Sequence, residues 1–263
     1  MKNITLGQYF PGESAIHKMD PRAKLLFTIA IIVILFIVKT YIGYIAVAGV
    51  LLAAIIISRV SVRFVLRGLK PLWFLLVLTF VLNLFFYSGQ KILLEWWIIK
   101  IYEEGLIKAI TISIRLILLI ITTTMMTLTT SPMDITSGLE SLLKPLKYVK
   151  FPVHEMALMM SIALRFIPTL MEETDRIMKA QTARGASFSE GSIIARAKGI
   201  VPIIVPLFIS AFKRADDLAF AMEARCYDGS SERTNMKKMS FTYRDLIALI
   251  IVLGLIAGLI FGM

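Results

Sequence analysis

The chain has 263 residues, 57% of them apolar, and a mean hydropathy of +0.79. An average soluble domain is ~45–50% apolar, so this excess argues against an ordinary soluble protein and for an integral membrane protein. The formal net charge of +11 would suggest nucleic-acid binding on a soluble chain, and the single Cys226 excludes an intramolecular disulfide.

A spanning helix needs ~20 mostly apolar residues, because the hydrocarbon core is ~30 Å thick. The first apolar run starts only at Leu25 and runs on into more apolar sequence, with no small-residue cleavage site, so it is not read as a signal peptide. Residues 25–57 are nearly uncharged and interrupted only by "KTYIGY" at 39–44. That predicts two short spans joined by a tight turn, with one long tilted helix as the alternative. Arg59, Arg63 and Arg67 then recur every four residues, which on one helix makes a basic stripe suited to anionic headgroups. Residues 71–87 are a third span and 106–128 a fourth, the latter carrying Lys108 and Arg115. An arginine near mid-span is costly unless it faces protein or water, so Arg115 either snorkels or pairs inside the assembly. Residues 246–263 form the fifth span.

Lysine and arginine set the orientation. The N-terminal tail carries Lys2, Lys18, Arg22 and Lys24, the turn after span two carries Arg59, Arg63, Arg67 and Lys70, and the segment 131–244 carries sixteen. The opposite side has only Lys39, Lys91 and Lys100, with Glu95, Glu103 and Glu104 among them. Five spans with a cytoplasmic N-terminus and an external C-terminus satisfy these counts. Most of the +11 is then membrane topology, and no nucleic-acid partner is expected. The expected domains are 1–130 for spans one to four, 131–244 as a cytoplasmic insert of about three helices, and 245–263 for the last span.

The insert opens with "SPMD": Ser131 can cap, Pro132 suits the first helical position, and Asp134 favours the positive N-terminal end. Pro145 and Pro152 punctuate the chain. A long helical pattern follows from Val153 to about Arg184, with a kink expected at Pro168. A loop, "GASFSEGS", leads to a second long helix that ends near Cys226 and is disturbed at Pro202 and Pro206. On it Phe208, Phe212, Ala215, Ala219, Met222 and Cys226 return every three or four residues, a face that wants a partner. Nine of the fourteen methionines lie between Met133 and Met239, which fits either an adaptable surface or ordinary core filling.

The two long helices repeat one pattern at an offset of forty-one residues. Asp175 aligns with Asp216, Ile177 with Leu218, Ala180 with Ala221, and Ala183-Arg184-Gly185 with Ala224-Arg225-Cys226. Small residues around each arginine let another surface approach the backbone, and a planar guanidinium can fork onto a carboxylate or carbonyl there. Arginine followed by glycine also suits an ordinary helix C-terminus. A single such triplet would leave the two readings level, and the repetition favours docking.

The chain resembles the transmembrane T component of energy-coupling factor transporters, ABC-type importers of vitamins and transition-metal ions in prokaryotes. The resemblance covers nearly the whole chain. It rests on "DPRAKLL" before the first span, "KPLKYVKFPVHEMALMMSIALRFIPTLMEE" in the insert, and the paired "ARG" and "ARC" triplets. Cys226 is a small departure, standing where glycine is common. The resemblance implies an all-α integral membrane protein whose insert is a coupling domain. It also implies two ATP-binding-cassette ATPase subunits as partners, and a substrate-binding S component resting on the same protein. Ala183, Arg184 and Gly185 would dock on one ATPase, and Ala224, Arg225 and Cys226 on the other.

No G-x-x-x-x-G-K-(S/T) phosphate loop occurs, so ATP hydrolysis is expected on the partner subunits and no cofactor on this chain. No nucleophile–base constellation marks an enzyme. The only histidines are His17 and His154, and "HEMAL" lacks the second histidine of a zinc helix, so no metal site is expected. The acidic pairs Glu172–Glu173 and Asp216–Asp217 read as solvated or salt-bridged helix surface. A membrane-embedded enzyme would have only Arg115, Lys108, Asn83 and threonines 122–124 within its spans. A secondary transporter would show midplane ionisable groups and broken helices in repeated halves.

Overall fold

The computed structural model describes residues 9–87, 92–96, 99–186, 193–229 and 239–261. Lys2, Lys91, most of the "GASFSEGS" loop, Arg233, Lys237, Lys238 and the last two residues lie outside them.

Two helices form where the first long apolar run divides. α1 (Pro21–Ile37) starts with Asp20 as its cap, the carboxylate accepting from the Arg22 N–H at 2.9 Å, and with Pro21 at the first helical position. It ends at extended Val38, and α2 (Tyr41–Ser58) follows after a short turn. Residues 25–57 therefore form two helices, and the single tilted helix is excluded. The basic stripe does not survive. Arg59 caps α2 in a left-handed conformation (φ 55°), which breaks the helix before α3 (Val62–Leu69) begins. Only Arg63 and Arg67 share a helix. A 3-10 turn over Lys70–Leu72, with Pro71 inside it, joins α3 to α4 (Trp73–Phe86).

Between α4 and the next span lies an antiparallel hairpin that hydropathy did not show, β1 (Ile92–Trp96) and β2 (Ile99–Tyr102), with Glu95 opposite Lys100 and Trp96 opposite Ile99. The remaining elements are helical. α5 (Glu103–Thr129) and α6 (Pro132–Leu143) come first, followed by a 3-10 stretch over Lys144–Val149. α7 (Val153–Ala183), α8 (Ile193–Glu223) and α9 (Tyr243–Phe261) complete the chain. Ser131 caps α6 as its sequence implies, accepting from the Asp134 N–H at 3.1 Å. Pro168, Pro202 and Pro206 all lie within unbroken helices.

Among the described residues, four stretches are long and apolar enough to cross a membrane: Tyr41–Ser58, Val62–Phe86, Glu103–Thr129 and Val153–Ala183. The first three coincide with expected spans. The fourth, α7, was expected to lie outside the bilayer. It qualifies through its first half, while from Glu172 it carries Glu172, Glu173, Asp175, Arg176 and Lys179. α1 and α9, with 17 and 19 residues, reach about 26 and 28 Å at 1.5 Å per residue. Apart from the short β1–β2 hairpin, the protein is an all-α membrane protein.

The chain divides into two compact units, Met1–Pro145 with Met239–Met263, and Leu146–Lys238. In the first, Ile31, Ile34, Leu35, Val38, Tyr44, Val47, Leu51, Leu118 and Val252 form one buried cluster contributed by α1, α2, α5 and α9. Val60, Val65, Met125 and Leu128 form a second, where α3 meets α5. Helix approach is close at Gly68, where a Cβ would lie 2.6 Å from Thr124 Oγ1. Outward-facing Ile42, Phe74 and Phe86 are exposed, as on helices whose solvent is lipid. α6 belongs to this unit and packs on α1 through Gly138, whose Cβ would lie 3.1 Å from Pro21 Cβ. In the second unit α7 packs against α8.

Candidate functional site: two arginine-tipped helix ends

The repeated helices meet at positions the repeat makes equivalent. Arg214 on α8 donates to Glu173 Oε2 on α7 at 2.6 Å, and 173 and 214 differ by the same forty-one residues that relate the two triplets. The cleft beside this ion pair is lined by Leu170 and Thr174 from α7, and by Leu207, Phe208, Ala211, Phe212 and Ala215 from α8. Adding forty-one to 170 and 174 gives 211 and 215. The helices thus touch through matching stretches, and each runs on for eleven residues beyond the ion pair to its arginine, from 173 to 184 and from 214 to 225. Glu173 is accordingly salt-bridged surface, as expected, and Glu172 lies 4.0 Å from Arg176 one turn on.

Both ends fold in the same way. At the first, Arg184 caps α7, the Gly185 N–H donates to Thr182 O at 2.9 Å, and the Ala186 N–H donates to Gln181 O at 3.0 Å. At the second, the Cys226 N–H donates to Glu223 O at 2.8 Å and the Tyr227 N–H to Met222 O at 3.0 Å. These paired bonds are the Schellman closure, which satisfies the last helical carbonyls by turning one residue left-handed. That residue is Gly185 (φ 89°) in the first triplet and Cys226 (φ 56°) in the second. Glycine accepts this conformation freely, whereas a side chain there costs roughly 1–2 kcal/mol. The departure at Cys226 therefore has a backbone consequence that the spacing of the triplets did not reveal. Ala183, Arg184, Gly185, Ala224, Arg225 and Cys226 are all exposed, and neither guanidinium has a partner among the described residues.

Much of the apolar face expected on the second long helix is left exposed among the described residues. Phe208 and Phe212 are 61% and 64% exposed, and Ala215 and Ala219 are exposed as well.

Sequence reasoning missed a further set of polar residues, buried in the first unit. Lys24 is 7% exposed, and its ammonium donates to Thr129 O (2.9 Å), His17 O (3.2 Å) and Thr130 Oγ1 (3.3 Å). Asp245, at the start of α9, accepts from the Asp20 N–H (3.0 Å) and the Thr242 N–H (2.8 Å). Their signal was present: Asp20-Pro21 is a helix-start pattern, and Asp245 is the one acid at the head of the last apolar run. His17 closes the preceding turn. Burial holds its pKa below the usual histidine range. The neutral ring pairs through Nδ1 with the Ser14 hydroxyl (2.7 Å) and through Nε2 with Phe10 O (3.0 Å). Arg115, left open between snorkelling and pairing, is paired: Nη2 and Nε reach Tyr44 Oη at 2.7 and 3.1 Å, and Nη2 lies 3.5 Å from Val38 O. Lys108 donates to Tyr87 Oη. Among the described residues no group of three histidine, cysteine or acidic side chains is arranged to hold a metal.

Comparison with known proteins identifies the family. Residues 12–236 match the family model described as cobalt transport protein, CbiQ. A protein of Thermosediminibacter oceani is 53% identical over 257 residues, covering 98% of this chain and 96% of its own length. One of Brevibacillus brevis is 50% identical over 260 residues (97% and 98%), and one of Bacillus subtilis 46% over 261 (99% and 98%). All three are named energy-coupling factor transporter transmembrane protein EcfT. The chain belongs to the family of energy-coupling factor transporter transmembrane (T) components, whose members are non-catalytic transporter subunits.

Proposed function

We propose that the chain couples two ATP-binding-cassette ATPase subunits to a substrate-binding S component, for uptake of vitamins or other micronutrients such as transition-metal ions. One observation carries this reading: two exposed arginines on equally built helix ends, each eleven residues beyond the contact between α7 and α8. One ATPase meets Ala183-Arg184-Gly185 and the other meets Ala224-Arg225-Cys226. The apolar face of α8 around Phe208 and Phe212 suits the membrane-embedded S component, because it would otherwise stay uncovered. ATP binds to the partner subunits, since this chain has no phosphate-cradling loop.

The same reading gives five spans: α1, α2, α3–α4, α5 and α9. The N-terminus and residues 131–244 lie in the cytoplasm and the C-terminus outside. α7 is placed in the cytoplasm because its charged second half holds α8 by an ion pair and ends in the docking arginine. A topology reporter after residue 200 should read cytoplasmic and one after Met263 external. Both on one side would refute the five-span layout.

The docking test is co-purification with the ATPases. Each arginine is expected to make a charge-assisted hydrogen bond to a partly desolvated partner, so Arg184→Ala or Arg225→Ala should cost on the order of 2–5 kcal/mol of docking. Each single variant should assemble in part. The double variant should lose both ATPases, because linked sites support one another through effective concentration. ATPases fully retained by the double variant would reduce the triplets to ordinary helix ends.

A further inference from the structure

The chain leaves the first unit along α6 through Pro145 and returns at Met239, just before α9. Within the first unit four helix ends come together: the starts of α1, α6 and α9 and the end of α5. Lys24 joins the first to the last, since it projects from α1 and spends its three donors on Thr129 O, Thr130 Oγ1 and His17 O. Asp245 joins the start of α9 to the start of α1 by accepting from the Asp20 N–H. Gly138 brings α6 into contact with Pro21 and Leu25 of α1.

At the other end of the α1–α5 pair the arrangement is reversed. Lys24 of α1 reaches the last carbonyl of α5, and Arg115 of α5 reaches towards Val38 O, the cap of α1, and binds Tyr44 of α2. Each helix sends a cation to the other's negative end, where unpaired carbonyls accumulate. Two helices packed side by side and pinned near both ends of α1 cannot easily slide past one another. An ammonium buried at 7% exposure is expensive to release, because losing its partners would leave a charge unpaired.

We infer that Lys24 and Asp245 are positioning residues, Lys24 holding the start of α1 to the end of α5 and Asp245 holding the start of α9 to the start of α1, so that α1 and α5, with α9 tied to them, pass movement to the 38–44 turn at the far end. The inference rests on the coupling reading above. It predicts that the residues act on transmission and leave docking intact, since both lie in the membrane unit, outside the arginine-tipped one.

The test is hydrogen–deuterium exchange on the full complex in nanodiscs, with and without a non-hydrolysable ATP analogue, so no transported substrate is needed. In the wild type, nucleotide should change exchange both in 146–238 and in 38–44. In Lys24→Met and in Asp245→Asn, which keeps its shape and one acceptor oxygen, the ATPases should still co-purify and the change in 146–238 should persist. The change at 38–44 should fall by roughly 2- to 30-fold. Val47→Ala, in the buried cluster but away from the clasp, should keep the far-end response despite its packing loss. A full response at 38–44 in both clasp variants overturns the inference, as does an equal loss in Val47→Ala. Loss of ATPases from a folded clasp variant also overturns it, because the residues would then serve assembly. A wild type that binds ATPases but shows no nucleotide response at 38–44 removes this inference and spares the docking reading. A wild type that binds no ATPase removes the docking reading itself.

Discussion

The two units differ in where their cations end up. In Met1–Pro145 with Met239–Met263, Lys24, Asp245 and Arg115 are paired within the chain, and the apolar residues that face inward close a core around Leu35 and Val47. In Leu146–Lys238, Arg184 and Arg225 reach out without partners among the described residues, and Phe208 and Phe212 stay uncovered on α8. The same residue types thus read differently by setting. A cation sunk in a bundle is bound to helix-end carbonyls, whereas one on a small-residue tip is available to another protein. On the proposed reading, surrounding lipid is enough to complete the first unit, whereas the arginine-tipped unit is completed by other subunits.

The strongest way to break that contrast is the double variant Arg184→Ala with Arg225→Ala. It should abolish ATPase co-purification while leaving the thermal stability of the isolated chain within about 0.5 kcal/mol, as for other surface changes. A large stability loss would show that the tips also hold their own unit together.

Leu35→Ala and Phe212→Ala sharpen it from both sides. Leu35 is fully buried, so its truncation should cost about 2–5 kcal/mol in reversible unfolding from detergent micelles. Phe212 is 64% exposed, so its truncation should scarcely move stability and should weaken capture of an S component in a pull-down. Equal stability losses would erase the difference between the units.

Gly68→Leu tests how tightly the first unit is packed. The new side chain meets Thr124 from a Cβ 2.6 Å away, and overpacking of this kind costs about 1–3 kcal/mol. The smallest effect concerns the unequal triplets. Cys226→Gly should raise stability by roughly 1 kcal/mol by removing a side chain from a left-handed position, and Gly185→Ala should lower it by a similar amount. Thermal unfolding of both variants reads the difference, and an unchanged melting temperature for Cys226→Gly would mean that the backbone opens at that tip.

Much of this was legible from short stretches. The break at 39–44, the Ser131 cap, the ends of the two long helices and the alignment of their triplets all depend on contacts within a few residues, so periodicity and capping chemistry report them. The basic stripe failed for the converse reason. Four-residue spacing implies one face only while the helix continues, and Arg59 turns left-handed and stops it. The β1–β2 hairpin was missed because six residues around "EWWIIK" are too few and too apolar to distinguish from span ends.

The amino-acid sequence by itself determined the membrane class, the run of helices and the two arginine triplets, because hydrophobic length and local capping act through neighbours along the chain. Only the tertiary structure decided which charges are spent and which are free. Lys24 finds its carbonyl 105 residues away, Asp245 its amide 225 residues away, Arg115 its tyrosine 71 residues away and Arg214 its glutamate 41 residues away. Such pairs form when packing brings helix ends and faces together, and a buried charge tolerates that position only when a partner is already there.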